Sequence, residues 1–343
     1  MRIAILYDGG ARDWTDEDIT SVLDVVTRIA TILRAAGHEV VRVPARDGLR
    51  WLASCRRADL IVNLCEGLGG ISRYEGLIVS TLELLNVPFT GARASTMTIC
   101  HRKPLVNAYL QAAGLPTPRW VLPRGHRVPD DFPLPAIVKP AAEDASVGID
   151  QGSVATTRRA LAQRVAKLSE EFDEVIVQAY VDGREVAVGF VGAEVLPISE
   201  IDFTDMPPGA WPILSFEGKW TAGSADDIGS RPVCPADMGA GLRDRVIRTA
   251  RGAWDAVGGS GYGRVDLRID ADDQPWIIEV NPNPDISEDA GLARMAAARG
   301  WSYDALITAI TDAALAEAAQ SATVAELAGT VRSRADARRQ RTA

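Results

Sequence analysis

The chain has 343 residues, a formal net charge of −9, and 47% hydrophobic and 24% charged residues. This is an ordinary globular composition in a chain too long for one core, so two or three domains are expected. The acidic balance argues against nucleic-acid binding as the main task, because a phosphate backbone demands a basic face, and no apolar run approaches the ~20 residues that cross a bilayer.

Met1 to Gly10 has too short an apolar run for a signal peptide and reads as a first strand over 3–7. Ile19, Val22, Leu23, Val26, Ile29, Ala30 and Leu33 recur at helical spacing, with Thr15 as N-cap, Asp18 as its capping-box partner and Gly37 as the stop. Strands over 38–43 and 59–64 flank a short helix over 49–56, and this alternation implies a parallel sheet with crossover helices. Asp8-Gly9-Gly10 is not a GxGxxG turn, so a dinucleotide site is weakly supported. Cys65-Glu66-Gly67-Leu68-Gly69-Gly70 follows the third strand, at the carboxyl end of the sheet where ligands bind. Glu66 is therefore a candidate substrate contact. A helix over 75–85 and the turn 86–91 close a first domain, 1–94.

One helix is expected from Ser95 to Gly114, carrying His101-Arg102-Lys103. Pro123 to Pro135 reads as a surface loop. Ala136 to Pro140 is a buried strand ending in Lys139, a charge costly to bury unless it meets an anion. The small-residue loop after it, with Ser146 and Gly148, can aim backbone N–H groups at phosphate oxygens. A helix over 157–172, capped by Thr156, and a strand over 174–181 complete a central segment, 95–182. The next strand, 184–191, carries Glu185 near its start. The stretch 199–230 reads as irregular and long enough to be functional. It holds Phe216-Glu217-Gly218-Lys219-Trp220, a cation among aromatics. Asp237 is expected to cap a helix running to Val257.

The densest chemistry lies in GYGRVDLRIDADDQPWIIEVNPNPDIS, from Gly261 to Ser287. Strands over 264–270 and 275–281, joined by Ala271-Asp272-Asp273-Gln274, predict an antiparallel hairpin. Centring the turn between Asp272 and Asp273 places Arg264 opposite Asn281 and Asp266 opposite Glu279. Period two then puts these four on one face and Val265, Leu267, Ile278 and Val280 on the other. Opposed carboxylates repel, and a divalent cation would relieve that, since Asp, Glu and Asn oxygens suit Mg²⁺. Helices over 288–299 and 302–319 complete a C-terminal segment, 183–320. A basic tail, 321–343, reads as a solvated end.

Cys55, Cys65, Cys100 and Cys234 lie far apart without zinc or CxxC spacing and read as reduced thiols of a cytoplasmic protein. His38, His101 and His126 stand outside charged clusters. Chemistry is therefore expected to run on carboxylates, Arg, Lys and a metal.

The ordered set of Lys139 with its small-residue loop, EVIVQAYV, DGRE, a long lysine-bearing loop and GRVDLRID…IIEVNPNP resembles the ATP-grasp superfamily. Within it the chain is most similar to D-alanine–D-alanine ligases, over nearly its whole length to about residue 318. The resemblance implies α/β and α+β architecture, an ATP-grasp fold behind an N-terminal parallel α/β domain. It implies ATP held by Lys103, Lys139 and Ser146, with adenine on the Gln178, Ala179 and Val181 linker and ribose on Glu185. It further implies Mg²⁺, as two ions with Mn²⁺ an alternative, on Asp266, Glu279 and Asn281. Arg264 would steady the transferring phosphate, and Lys219 would close over it as a second catalytic group. Small amino-acid-like substrates are the implied partners, and a homodimer is compatible.

The sequence also departs from that family. Glu143-Asp144 puts an acid where a glycine is usual, and Gln178 replaces an acidic residue that reads the adenine amino group. Pro282-Asn283-Pro284-Asp285 is stiffer and more acidic than the usual hairpin exit. Ala290 stands near the position of a carboxylate-binding serine, and Asp16, Glu17 or Asp18 would have to supply the N-terminal substrate acid. Asp285, Glu288 and Asp289 therefore imply an amine or cationic acceptor, and a product other than D-alanyl-D-alanine. An intermolecular ligase, a cyclising ligase, a phosphotransferase and a non-catalytic nucleotide-binding protein all stay open.

Overall fold

The computed structural model describes residues 1–10, 14–46, 48–125 and 127–320, leaving aside the side chains of residues 17 and 18. The basic tail, His126 and the side chain of Glu17, an expected substrate contact, thus lie outside the described residues. Strand β1 (Arg2–Asp8), helix α1 (Asp16–Ala35), strand β2 (Glu39–Ala45), helix α2 (Leu52–Cys55) and strand β3 (Leu60–Asn63) build a parallel sheet of order β2-β1-β3. Both faces of β1 are covered. Ile3 and Ile5 pack with Val26 and Ile29 of α1, while Ala4 and Leu6 pack on the side of α3 (Glu75–Leu85). That explains a continuous apolar run where a half-buried strand would alternate.

The single helix expected over 95–114 is two helices, α4 (Ala94–Cys100) and α5 (Lys103–Ala112), separated by an extended Arg102. In an unbroken helix the ring of Pro104 would strike the Cys100 carbonyl. The break sets Lys103 at the start of α5, where its backbone N–H donates to the Ala141 carbonyl at 2.8 Å.

Strands β4 (Trp120–Val121), β5 (Ala136–Pro140) and β6 (Val154–Ala155), helix α6 (Arg158–Glu171) and strand β7 (Val175–Ala179) follow, forming a sheet of order β4-β7-β5-β6. Helix α6 is capped by Thr157, not Thr156; its hydroxyl accepts from the Ala160 N–H at 3.1 Å. Leu161, Val165 and Leu168 fill the space between α6 and the sheet.

The third sheet uses β8 (Arg184–Val191), β9 (Glu194–Val195) and β10 (Ser199–Asp202). Helices α7 (Phe216–Trp220) and α8 (Ala225–Gly229) lead to β11 (Arg231–Val233), helix α9 (Ala240–Ala256), β12 (Tyr262–Ile269) and β13 (Pro275–Asn281). Its order is β11-β10-β8-β12-β13, with β9 beside β8. The stretch expected to be irregular is thus partly regular. Its two five-residue helices are capped by Ser215 and Ser224, too short to show a period. Asp237 does not cap α9, because the helix starts after an extended Gly239, two residues further on, with no side-chain cap. Trp254 of α9 stacks on Phe190 with ring centres 5.6 Å apart. A Cβ at Gly263 would meet the Trp254 ring at 2.1 Å, so only glycine lets β12 pass beneath that indole.

Helix α10 (Gly291–Ala298) and the helical residues 303–320 return to the first sheet. Leu292, Met295, Leu306 and Ile310 share one core with Ile3, Ile5 and Val62. Among the described residues no helix is long and apolar enough to cross a membrane.

Candidate active site

The central and C-terminal sheets face each other across a cleft of about 960 Å³, counting the solvent at its mouth. Of the expected nucleotide and metal residues, Lys103, Lys139, Ser146, Gln178, Ala179, Val181, Glu185, Lys219, Arg264, Asp266, Glu279 and Asn281 all line it. The hairpin explains how four of them meet. Arg264 pairs with Asn281 and Asp266 with Glu279, in the expected register. A β-bulge between Asp266 and Leu267 then shifts the ladder by one residue, pairing Leu267 with Ile277. Ile277 is consequently the core residue, 1% exposed, and Ile278 lines the cleft, contrary to the alternation expected from a regular hairpin.

At the nucleoside end, the Ala179 N–H donates to the Arg119 carbonyl at 2.8 Å and the Tyr180 N–H to the Pro135 carbonyl at 3.0 Å. The Val181 N–H has no such carbonyl partner among the described residues. Gln178 is buried, its amide oxygen 3.4 Å from Lys139 Nζ and its nitrogen 3.4 Å from Asn107 Oδ1, so the amide is oriented by protein. Burial raises the Glu185 carboxyl above the ordinary glutamate value against the pull of Arg268, whose Nη1 lies at 2.9 Å.

At the phosphate end, burial lowers Lys139 to about 8, with Lys103 adding repulsion and Glu279 opposing it. Burial also opposes the charge on Lys103, but Asp144 and Glu279 outweigh it and hold that lysine above its usual value. Lys103 Nζ lies 3.3 Å from Asp144 Oδ1 and also donates to the Glu143 carbonyl. Ala145 and Ser146 both adopt positive φ, at 55° and 63°, bending the loop over the cleft. The 203–230 segment is docked on that loop: Ser146 Oγ donates to the Leu214 carbonyl at 2.9 Å, and Trp220 Nε1 to the Ala145 carbonyl at 3.0 Å. Lys219 thereby borders the cleft from above, its ammonium 5.3 Å from the Trp220 ring centre.

Arg264 grips Asp266 with both arms of its guanidinium, Nε to Oδ1 at 2.7 Å and Nη2 to Oδ2 at 2.8 Å. Each carboxylate oxygen still has a second lone-pair direction. Among the described residues no three His, Cys, Asp or Glu side chains converge as a metal cage; the set is two carboxylates and the Asn281 amide. That set suits a hard cation that completes its shell with phosphate oxygens and water. The donor chemistry supports it further, because Asp144 and Glu279 line the same cleft and the presence of each acid bears on the proton of the other. Crowding by protein raises Asp144 to about 6, with Glu279 adding to the push, although its side chain still exposes 39% of its surface to the cleft. Burial opposes ionisation of Glu279 as well, yet Lys103 and the bond from Asp144 hold it below the ordinary value.

Beyond the phosphate end lies an acidic recess. Glu66 is exposed to its water yet crowded by protein; that crowding and the charge of Asp285 raise it to about 7, against the pull of Lys219. Asp285 Oδ1 accepts from the Ser287 N–H at 2.8 Å and hydroxyl at 2.6 Å, which fixes its direction. Glu75, buried at the start of α3, accepts from Asn283 Nδ2 at 2.6 Å and is raised to about 8, chiefly by burial. One expected acceptor acid serves elsewhere. Glu288 pairs with Arg28 at 3.0 Å, whereas for Asp289 it is only the backbone carbonyl that takes a bond, from Arg294.

His101 does stand among charges, with Nδ1 3.6 Å from Asp144 and 3.9 Å from Glu75, contrary to expectation. Sequence patterns also missed Glu75, Tyr180 and Arg268. Arg268 carried a signal, since an arginine one ladder step below the Arg264–Asp266 pair lies on the same strand face. Asp144 lines the cleft beside Lys103 and Glu279, one of the expected metal-binding acids.

Residues 110–312 match the family model described as D-ala D-ala ligase C-terminus. Among known proteins, y4sG of Sinorhizobium fredii is 29% identical over 307 residues, covering 84% of this chain and 87% of its own length. The D-alanine–D-alanine ligase of Bordetella avium is 32% identical over 299 residues, covering 82% of this chain and 89% of its own. In fold, the D-alanine–D-alanine ligase from Bacillus anthracis complexed with ATP gives a TM-score of 0.75 at 20% identity, covering 94% of this chain and 99% of that one. The chain belongs to the D-alanine–D-alanine ligase family of ATP-grasp proteins, as an ATP-dependent ligase that joins a carboxylate to an amine.

Proposed function

We propose that this ligase couples an amino-acid-like carboxylate to an amine acceptor that carries no free carboxylate beside its nitrogen, and that D-alanyl-D-alanine is not its product. The observation that carries this reading is the pair Glu66 and Asp285, close enough for Asp285 to raise the Glu66 carboxyl. A second D-alanine would bring its carboxylate among these acids; a cationic amine would be drawn in, and a neutral one would escape the repulsion.

In the chemistry we assign, the donor carboxylate oxygen attacks the γ-phosphorus, ADP leaves, and the amine then attacks the acyl carbon to expel phosphate and release its protons. Val181 and Glu185 would hold the nucleoside by adenine and ribose, with Ala179 and Gln178 as the wall behind it. Lys103, Lys139 and Ser146 would hold phosphate oxygens, while Arg264 and Lys219 meet the charge that moves during transfer. Asp266, Glu279 and Asn281 would hold Mg²⁺, as one or two ions or Mn²⁺, which when bound neutralises charge on the β- and γ-phosphates. The segment over 203–230 excludes water that would otherwise hydrolyse the acyl phosphate. By this assignment the 1–94 portion presents substrate groups, and 95–182 and 183–320 close on the nucleotide.

Phosphate release is measured with ATP, Mg²⁺ and D-alanine alone, then with amino acids paired with amines and basic amino acids, and hits are identified by mass spectrometry. Robust dipeptide from D-alanine alone would refute the acceptor reading. A product that has lost water within one substrate would identify a cyclising ligase instead.

A further inference from the structure

Arg268 on β12 pairs directly across from Glu185 on β8, and its side chain is 5% exposed. Its Nη1 donates both to Glu185 Oε2 at 2.9 Å and to the Pro212 carbonyl at 2.9 Å. Its Nη2 donates to the Gly183 carbonyl at 2.8 Å and the Tyr180 hydroxyl at 3.3 Å. The guanidinium also lies 5.0 Å from the centre of the Tyr180 ring, which packs edge-on against Trp211 with centres 5.2 Å apart. Three parts of the protein therefore meet at one side chain: the linker into β8, the carboxylate assigned to ribose, and the segment that crosses the cleft.

Burying a guanidinium is costly, and neutralising Glu185 alone would need a single bond. Instead one nitrogen serves a cleft-facing carboxylate and the crossing segment together. We propose that Arg268 is a positioning residue that makes sugar recognition and closure one event: it fixes Glu185 for the ribose hydroxyls and, with the same nitrogen, holds Pro212 over the cleft. The inference rests on the assignment of Glu185 to ribose made above. It selects a nucleotide with an intact ribose diol over a 2′-deoxy nucleotide, because a sugar that engages Glu185 weakly leaves the shared nitrogen less firmly placed. Lysine cannot replace it, since an ammonium lacks the planar fork that reaches two carbonyls and a carboxylate at once.

Amide hydrogen exchange across 203–230 in the full chain tests this, with Mg²⁺ plus ADP, Mg²⁺ plus 2′-deoxy-ADP, or no nucleotide. Each nucleotide is held at saturation by its own measured Kd. In the unaltered protein ADP slows exchange of the segment, and saturating 2′-deoxy-ADP slows it distinctly less. Arg268→Lys binds ADP about tenfold more weakly, as loss of charged hydrogen bonds implies, and at saturation ADP no longer slows the segment. A merely structural Arg268 would lower the melting temperature and ADP affinity but leave protection at saturation unchanged, and that outcome overturns the proposal. Equal protection by ADP and 2′-deoxy-ADP in the unaltered protein overturns it without any variant, so poor folding of Arg268→Lys does not remove the test. Failure of the unaltered protein to bind ADP would overturn the nucleotide assignment itself, and this inference with it.

Discussion

Lys103 Nζ lies 3.3 Å from Asp144 Oδ1, and the Asp144 carboxyl stands beside that of Glu279 in the cleft, so that each shifts the other's hold on a proton. Two acids this close share one proton, and a cation that reaches Glu279 displaces it. On the opposite side, Lys139 is lowered to about 8, so at higher pH it awaits a proton that an arriving phosphate would stabilise. Binding of Mg²⁺ and ADP is therefore expected to release protons at about pH 5.5 and take them up at about pH 9. Calorimetry in buffers of different ionisation enthalpy measures both. Asp144→Asn should abolish most of the release and Lys139→Met most of the uptake; a proton balance of one sign at both pH values would contradict the arrangement.

Glu75 gives a stability prediction of definite sign. In the unfolded chain it ionises near 4.5, whereas in the folded protein it keeps its proton to about 8, chiefly because it is buried. A raised carboxyl pKa makes folding less favourable as pH climbs through that window, and the loss is complete above it. Glu75→Gln retains an oxygen for the Asn283 bond and removes the ionisation. The variant should melt with the unaltered protein near pH 4.5 and several degrees higher near pH 9, a gain of about 2 kcal/mol or more. Equal melting temperatures at the higher pH would contradict a buried, protonated Glu75.

The hairpin shows what sequence could and could not reveal. Strand alternation and turn length placed Arg264 against Asn281 and Asp266 against Glu279, because those pairs lie on the regular side of the ladder. The bulge at Leu267 obeys no local pattern, so Ile278 was assigned to the core although it borders the cleft. Pro104 broke a helix whose apolar spacing runs through it. Ser215 and Ser224 cap helices of one turn, where periodicity has nothing to repeat over. Glu288 looked like a substrate acid until Arg28, far away in sequence, proved to hold it. Residues whose role depends on a local ladder were legible; those decided by distant partners were not.

Arg264 and Asp266 form a two-bond fork at 2.7 and 2.8 Å. Lysine at 264 would keep the charge but make only a point contact, leaving both the carboxylate and the transferring phosphate less well aimed. Arg264→Lys should lower turnover by roughly 10²–10³-fold, the range seen when one preorganised donor is lost, with the KM for ATP changed by only a few-fold. Steady-state phosphate release with the substrate pair found by screening measures both constants. A rise in KM with turnover intact would place Arg264 in ground-state nucleotide binding rather than in the transfer step.

Glu66 and Asp285 set the last expectation. Protein crowding and the charge of Asp285 raise Glu66 to about 7, while its exposure to water moderates any energetic consequence. As pH rises through that value Glu66 becomes charged, so affinity for a cationic acceptor should rise across neutrality and then level off. Glu66→Gln should flatten the profile and raise the acceptor KM about tenfold, a loss equivalent to ~1.4 kcal/mol of Coulomb attraction at partly screened range. In the doubly substituted Glu66→Gln, Asp285→Asn protein the repulsion toward carboxylates is gone, and D-alanine should begin to serve as acceptor. The comparison is made by acceptor KM at several pH values and by dipeptide yield. A double variant that still rejects D-alanine, with an unaltered pH profile, would mean that other walls of the recess choose the acceptor.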